Sequence, residues 1–187
     1  MNKIAILASH NGSGFEAIFN AVQSKQLQLE IALLISNNPN AGALQKAKNF
    51  AIESVIVNKN TDENPDEKIY ALLQENGCKY VFLSGYMKKL SPRLTQNFFI
   101  INSHPALLPK FGGEGMYGHH VHEAVIAAKE SKSGVTIHEV NENYDEGKIL
   151  LQKELFLSED ETPQSLEEKI KSIEKEAIVE ALARCLN

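Results

Sequence analysis

The sequence predicts an α/β protein: a Rossmann-like, open, mostly parallel sheet with helices on both faces and an antiparallel edge in its C-terminal part. Three observations carry this. Short apolar, β-branched runs alternate with longer amphipathic stretches through residues 1–100, the pattern of successive βαβ units. A glycine-rich turn, Ser9-His10-Asn11-Gly12-Ser13-Gly14, joins the first such run to the first helical stretch. Two strand-like runs near the C-terminus, Val135 to Val140 and Ile149 to Phe156, are joined by a polar loop of a length that suits a hairpin.

The elements follow in order. Lys3 to Ala8 reads as a buried strand and Phe15 to Gln26 as a helix. Ile31 to Ser36 is the second strand, closed by the turn signal Asn37-Asn38-Pro39-Asn40. Ala43 to Phe50 is helical, with Leu44, Ala47 and Phe50 at three-residue spacing, and Ser54 to Val57 is a third strand. Pro65 to Glu75 is a helix with proline near its start and Gly77 just past its end, the expected asymmetry. Tyr80 to Ser84 and Phe98 to Ile101 are the fourth and fifth strands. A glycine-rich loop, residues 112–118, then leads into a helix over His119 to Glu130. The chain ends in a long helix. Thr162 is its expected N-cap, Pro163 its first residue and Ser165 a second possible cap. Leu166, Ile170, Ile173, Ala177, Ala181 and Cys185 form its apolar stripe.

Composition narrows the function classes. The chain has 187 residues, 43% of them hydrophobic, which suits a single domain over 1–187 with one sizeable core. A formal net charge of -5 argues against nucleic acid as the main partner, since phosphate backbones demand a basic patch. Cys78 and Cys185 are the two cysteines and share no metal-ligand spacing, so a reducing, cytoplasmic setting is expected. The first apolar run meets polar residues too soon for a signal peptide, and no apolar stretch is long enough to span a bilayer.

Three segments carry chemistry. In the first, Asn11-Gly12-Ser13-Gly14, a helix N-terminus and its backbone N–H groups suit a phosphate, with the Ser13 hydroxyl as a further donor. A tight turn needing glycine for geometry alone is the alternative. Gly12 to Ala17 also fits the relaxed dinucleotide fingerprint G-x-G-x-x-A, but Ser36-Asn37-Asn38 stand where that fingerprint needs an acidic residue. A single terminal phosphate is favoured over NAD. In the second segment, Ile100-Ile101-Asn102-Ser103-His104-Pro105, an apolar run ends in an amide and an imidazole just past the carboxyl end of a strand, where open parallel sheets bind ligands. Spacing of two in an extended chain sends Asn102 and His104 to one side. The bland reading, a strand-closing Asn and a His bonded to a local carbonyl, stays open at this point. The third segment, Asn141 to Gly147, reads as solvated loop except that Asp145 precedes a glycine by two and the loop follows His138.

Taken together, an Asn, a His and an Asp suit acyl transfer. A carboxylate favours protonated imidazole, and imidazolium and amide both donate to a developing oxyanion. No Ser or Cys stands poised as nucleophile, which points to direct transfer to an external amine. His119 and His122 lie one turn apart without an evident third metal ligand. Solvated surface is the expectation for most of the remaining histidines, His10, His119, His120 and His122, and no metal site is expected.

Asn102 to Pro109 (NSHPALLP) resembles the signature of the folate-dependent formyltransferases, as do Gly85 to Pro92 (GYMKKLSP), Gly134 to His138 (GVTIH) and Asp145 to Gln152 (DEGKILLQ). The resemblance covers essentially the whole chain, with the motifs in order. Asn11-Gly12-Ser13 and the compact length resemble the branch that formylates glycinamide ribonucleotide in purine synthesis. That resemblance implies the formyltransferase fold and transfer of a formyl group from 10-formyltetrahydrofolate, as co-substrate, to the ribonucleotide amine. It implies Asn102, His104 and Asp145 as the catalytic trio. For the ribonucleotide it implies Asn11, Gly12, Ser13 and Gly14 at the phosphate, and Lys171 and Glu174 near the ribose. For folate it implies Met87, Lys88, Lys89 and Leu90, together with Asn102 and the loop Asn141, Glu142, Asn143, Tyr144 and Asp145. Residues 1–100 would form the phosphate-binding half and 101–187 the half with catalytic and folate residues. Small molecules are the implied partners, without nucleic acid, membrane or metal, in a monomer or weak homodimer. Two departures from the commoner pattern stand out: Gly14 where Asn is frequent, and a long loop over residues 112–118.

Overall fold

The computed structural model describes residues 1–186. The first half alternates strand and helix: β1 (Asn2–Ala8), α1 (Ser13–Gln23), β2 (Leu29–Ser36), α2 (Gly42–Asn49), β3 (Ser54–Ile56), α3 (Pro65–Glu75) and β4 (Tyr80–Leu83). A short helix α4 (Pro92–Asn97) precedes β5 (Phe99–His104), followed by α5 (His119–Ala127), β6 (Lys132–Glu139), β7 (Ile149–Phe156) and α6 (Pro163–Leu186). The strands form one sheet in the order β3-β2-β1-β4-β5-β6-β7. β1 to β5 pair in parallel, while β5–β6 and β6–β7 are antiparallel, the expected C-terminal edge.

The alternation within β1 explains the two covered faces. Ile4, Ile6 and Ala8 join one core with Phe15, Ile18, Ala43, Ala47, Ala177 and Ile178, so α1, α2 and α6 cover that face. Ala5 and Leu7 point the other way, into a core with Ile69, Leu72, Leu73 and Leu94 from α3 and α4. A third cluster, Ala106, Val121, Val125, Leu166 and Ile170, locks α5 against the start of α6. Thr162 caps α6 as expected: its hydroxyl accepts the Ser165 N–H (3.1 Å), and the Ser165 hydroxyl accepts the Thr162 N–H (3.0 Å).

Several expectations need correction. α1 stops before Gln26 because Lys25 adopts φ 62 and the Gln26 N–H turns back to the Ala21 carbonyl. α5 ends at Ala127 rather than Glu130, with Lys129 likewise left-handed at φ 53. α4 was not foreseen, although Ser91-Pro92 is a helix-start signal. The α6 stripe holds through Ala181 but bends away from Cys185, which is exposed; Leu182 and Leu186 are buried there instead. The correction that matters for function is β5. It continues past Ile101 to His104, because β6 extends its ladder and pairs Asn102 with His138 and His104 with Thr136. β4 ends opposite Asn102, at Leu83. Asn102 and His104 therefore occupy the last rungs of a strand rather than the loop beyond it.

Candidate active site

The strand order reverses between β1 and β4: β2 and β3 lie on one side, β5 on the other. Such a reversal leaves a crevice at the carboxyl ends of the strands. Here it holds a cavity of about 830 Å³, walled by residues 10–14, 82–88, 102–105, 113–118 and by α6 at Glu167, Ile170, Lys171 and Glu174.

The phosphate-type turn forms one end. Gly12 adopts φ 64 immediately before α1, a left-handed conformation that glycine takes without a Cβ penalty. The Glu16 N–H returns to the Gly12 carbonyl (3.1 Å), and the Phe15 N–H donates to the Ser84 hydroxyl (3.1 Å). Gly14 is buried, and a Cβ there would meet Phe82 Cε1 at 2.8 Å and Ser84 Oγ at 3.1 Å. This packing of α1 onto β4 accounts for glycine at position 14.

Asn102, His104 and Asp145 converge at the other end. His104 is buried; its Nε2 donates to the Phe111 carbonyl (2.7 Å) and its Nδ1 faces Asp145 Oδ2 at 3.6 Å, beyond hydrogen-bond distance. Asp145 takes a left-handed φ of 57, which Asp tolerates better than most residues. Its Oδ2 accepts the Gly113 N–H (2.9 Å), and its Oδ1 lies 3.4 Å from His138 Nε2. One carboxylate thus ties the glycine-rich loop to the loop after β6. Across the β5–β6 ladder, Asn102 Nδ2 is 3.2 Å from His138 Nε2, and His138 Nδ1 is 3.0 Å from the Glu139 carbonyl. With Nδ1–H donated to that carbonyl, Nε2 sits between the Asn102 amide and the Asp145 carboxylate. This orients the amide and leaves its second N–H for a ligand.

Electrostatics corrects one expectation. Burial lowers the His104 pKa below its ordinary value; Asp145 and the Phe111 carbonyl oppose this without overturning it, and His138 adds to it. The neutral imidazole is therefore favoured in the ligand-free molecule, whereas the sequence suggested the imidazolium. For Asp145, burial pushes upward, but the His138 hydrogen bond, His104 and the Gly113 N–H together hold its carboxyl below the usual range.

The remaining expected residues divide. Met87 and Lys88 reach the cavity, and the Met87 N–H is held by the Ser9 hydroxyl (2.8 Å). Leu90 is core, and Lys89 lies over the Tyr144 ring, 5.2 Å from its centroid. Tyr144 and Asp145 line the cavity, whereas Glu142 accepts from Gln96 (2.6 Å) and Asn141 accepts the Asn143 N–H (2.9 Å) outside that lining. Lys171 ion-pairs with Glu167 (2.5 Å), and Glu174 accepts from the Ser103 hydroxyl (2.6 Å), so Lys171 and Glu174 do not pair with each other. Lys171 and His119 pull the Glu167 carboxyl down to about 2.

Sequence reasoning missed Ser103, His122 and His138 as members of the site. The contacts of Ser103 and His138 depend on strand pairing and helix placement, which periodicity does not reveal. His122 corrects the solvated-surface expectation: it is buried, and its Nδ1 has no hydrogen-bond partner among the described residues. His10 and His120 are exposed, and His119 pairs with Glu167 at 2.9 Å. No group of three His, Cys, Asp or Glu side chains able to hold a metal occurs among the described residues.

Comparison with known proteins places this geometry in context. The profile of the Formyl transferase family matches residues 2–182. A chloroplastic phosphoribosylglycinamide formyltransferase of Arabidopsis thaliana is 34% identical over 96% of this chain, which spans 64% of that protein's length. The phosphoribosylglycinamide formyltransferase of Haemophilus influenzae is 35% identical over 93% of the chain and 82% of its own. The crystal structure of phosphoribosylglycinamide formyltransferase from Bacillus halodurans superposes with a TM-score of 0.91 at 32% identity, covering 100% of this chain and 96% of that one.

Proposed function

The chain belongs to the formyl transferase family, and from that premise we propose that it is a phosphoribosylglycinamide formyltransferase of purine biosynthesis. It moves the formyl group of 10-formyltetrahydrofolate to the amine of glycinamide ribonucleotide. The observation that carries the reading is the convergence of Asn102, His104 and Asp145 in a cavity whose far end is the Gly12–Ser13 helix terminus. A phosphate needs such a terminus, and an acyl transfer needs such donors.

The substrate amine attacks the formyl carbon and forms the new C–N bond. The bond from that carbon to the folate nitrogen then breaks, and the proton lost by the amine is delivered to that nitrogen. The free N–H of the Asn102 amide holds the formyl oxygen as it gains charge. Both His104 nitrogens face protein groups in the ligand-free molecule. Donation to the oxygen therefore requires the ring to give up the Phe111 carbonyl. Charge on the oxygen and on Asp145 then favours the imidazolium that burial alone disfavours, so His104 serves as oxyanion donor and general acid. Asp145 also assists a water-mediated relay of the proton.

Asn11, Gly12, Ser13 and Gly14 hold the phosphate, and Lys171 and Glu174 serve the ribonucleotide side. Met87 and Lys88, with Tyr144 and Asp145, face the folate, and Lys89, Leu90 and Asn141 to Asn143 support them from outside the cavity. Residues 1–100 and 101–187 work as one unit, because the cavity draws on both. All the proposed groups lie within one chain, consistent with a monomer or weak homodimer. The two unpaired cysteines suit the cytoplasm, and the net charge of -5 suits small-molecule partners rather than nucleic acid.

The test is a transfer assay with the purified protein, glycinamide ribonucleotide and 10-formyltetrahydrofolate. Formylated ribonucleotide and tetrahydrofolate are expected in equal amounts. Formate released without an acceptor, or no product, contradicts the reading.

A further inference from the structure

Three consecutive residues of β5 face two ways. Asn102 and His104 share one side, and Ser103, between them, takes the other. The Ser103 hydroxyl donates to Glu174 Oε1 at 2.6 Å. Glu174 is half-buried in the middle of α6, on the cavity wall. Burial pushes its carboxyl upward, opposed by the Ser103 hydrogen bond and by Lys171 and Lys175. Of these opposing groups, Ser103 is the one in direct contact: Lys171 is committed to Glu167, and Lys175 is exposed.

We propose that Ser103 is a positioning residue for the acceptor: it aims the Glu174 carboxylate at the vicinal hydroxyls of the substrate's ribose. The inference rests on the formyltransferase reading and deepens it by naming what orients the sugar grip. A carboxylate has about four acceptor positions. Ser103 takes one on Oε1 and leaves the rest for two neighbouring hydroxyls. Without that anchor, the long glutamate side chain must give up rotamer freedom when it binds sugar. The arrangement also fixes a distance. Ser103 holds the sugar grip from the same strand end that presents Asn102 and His104 to the formyl carbon, so one rigid segment registers ribose against reacting amine.

The experiment compares wild type, Ser103→Ala and Ser103→Thr for steady-state kinetics and for calorimetric binding of glycinamide ribonucleotide between pH 5 and 8. Loss of a hydrogen bond to a charged group predicts KM and Kd for the ribonucleotide higher by about tenfold in Ser103→Ala. The folate KM should hold within about twofold, and Ser103→Thr should restore binding. The acid limb supplies a second readout. Removing a group that lowers the Glu174 pKa raises that pKa further, so ribonucleotide binding in Ser103→Ala should fail at higher pH than in wild type. Unchanged ribonucleotide affinity, an equal loss for both substrates, or an unmoved acid limb overturns the inference. Wild-type turnover reports on the formyltransferase reading, whereas the variant-to-wild-type ratio reports on Ser103. A wild type that does not bind the ribonucleotide overturns both.

Discussion

In the proposed reaction His104 donates to an anion from a buried position where water does not support the ring's charge. Burial favours its neutral form, and Asp145, 3.6 Å away, is too distant to reverse that before substrate arrives. The charge of Asp145 is therefore the quantity to remove. Asp145→Asn keeps a carbonyl that can accept the Gly113 N–H, and Asn tolerates the left-handed φ of 57 found there. The fold should survive. We expect kcat to fall by about 10²–10⁴-fold, the usual worth of a positioned acid–base group, with smaller changes in either KM. A kcat within a few-fold of wild type, measured by the same transfer assay, would falsify the assigned role. That Asn102 and His104 share one side of the strand was legible in the sequence, because spacing of two needs only local geometry. The protonation preference of His104 was not, because it depends on how many atoms cover the ring. His138 was noticed only as a neighbour of the loop; its contact with Asn102 requires the antiparallel β5–β6 register.

Elements deliver these residues, and α6 does so over the longest reach. It brings Lys171 and Glu174 to the cavity and buries Leu166, Ile170, Ala177 and Ile178. Its start is held by the reciprocal Thr162–Ser165 bonds. Thr162→Ala should lower the unfolding free energy by about 1 kcal/mol. In a urea titration the midpoint should drop with an unchanged slope, while kcat stays at the wild-type value. A lower kcat with an unchanged midpoint would separate the cap from stability and contradict this account of α6. This helix start was readable because Thr-Pro-x-Ser carries the capping chemistry locally. The stripe was read correctly through Ala181 and misread at Cys185, because the buried face shifts there to Leu182 and Leu186, a choice made by the sheet beneath. The same reason governs β5. Its extension to His104 comes from β6, which lies more than twenty residues further along the chain.

At the scale of the molecule, the reversal of strand order between β1 and β4 creates the crevice, and the antiparallel pairing of β6 carries β5 on to His104, which lines it. The parallel half was legible from alternating runs and turn residues. The crevice itself was legible only as a rule about where such sheets bind ligands, because its walls come from residues more than a hundred positions apart, such as Ser13 and Lys171. The proposed reaction makes one geometric demand on this architecture: a single ribonucleotide must reach from its phosphate at the α1 terminus to a formyl carbon at the end of β5. The most direct test is a crystal structure of the protein with glycinamide ribonucleotide and a non-transferable 10-formyltetrahydrofolate analogue. The phosphate should lie on the Gly12–Ser13 N–H groups. The formyl oxygen of the analogue should sit about 3 Å from the Asn102 amide and from a His104 ring released from Phe111. A folate analogue bound away from Asn102 and His104, or a ribonucleotide whose phosphate avoids Gly12 and Ser13, would contradict the account.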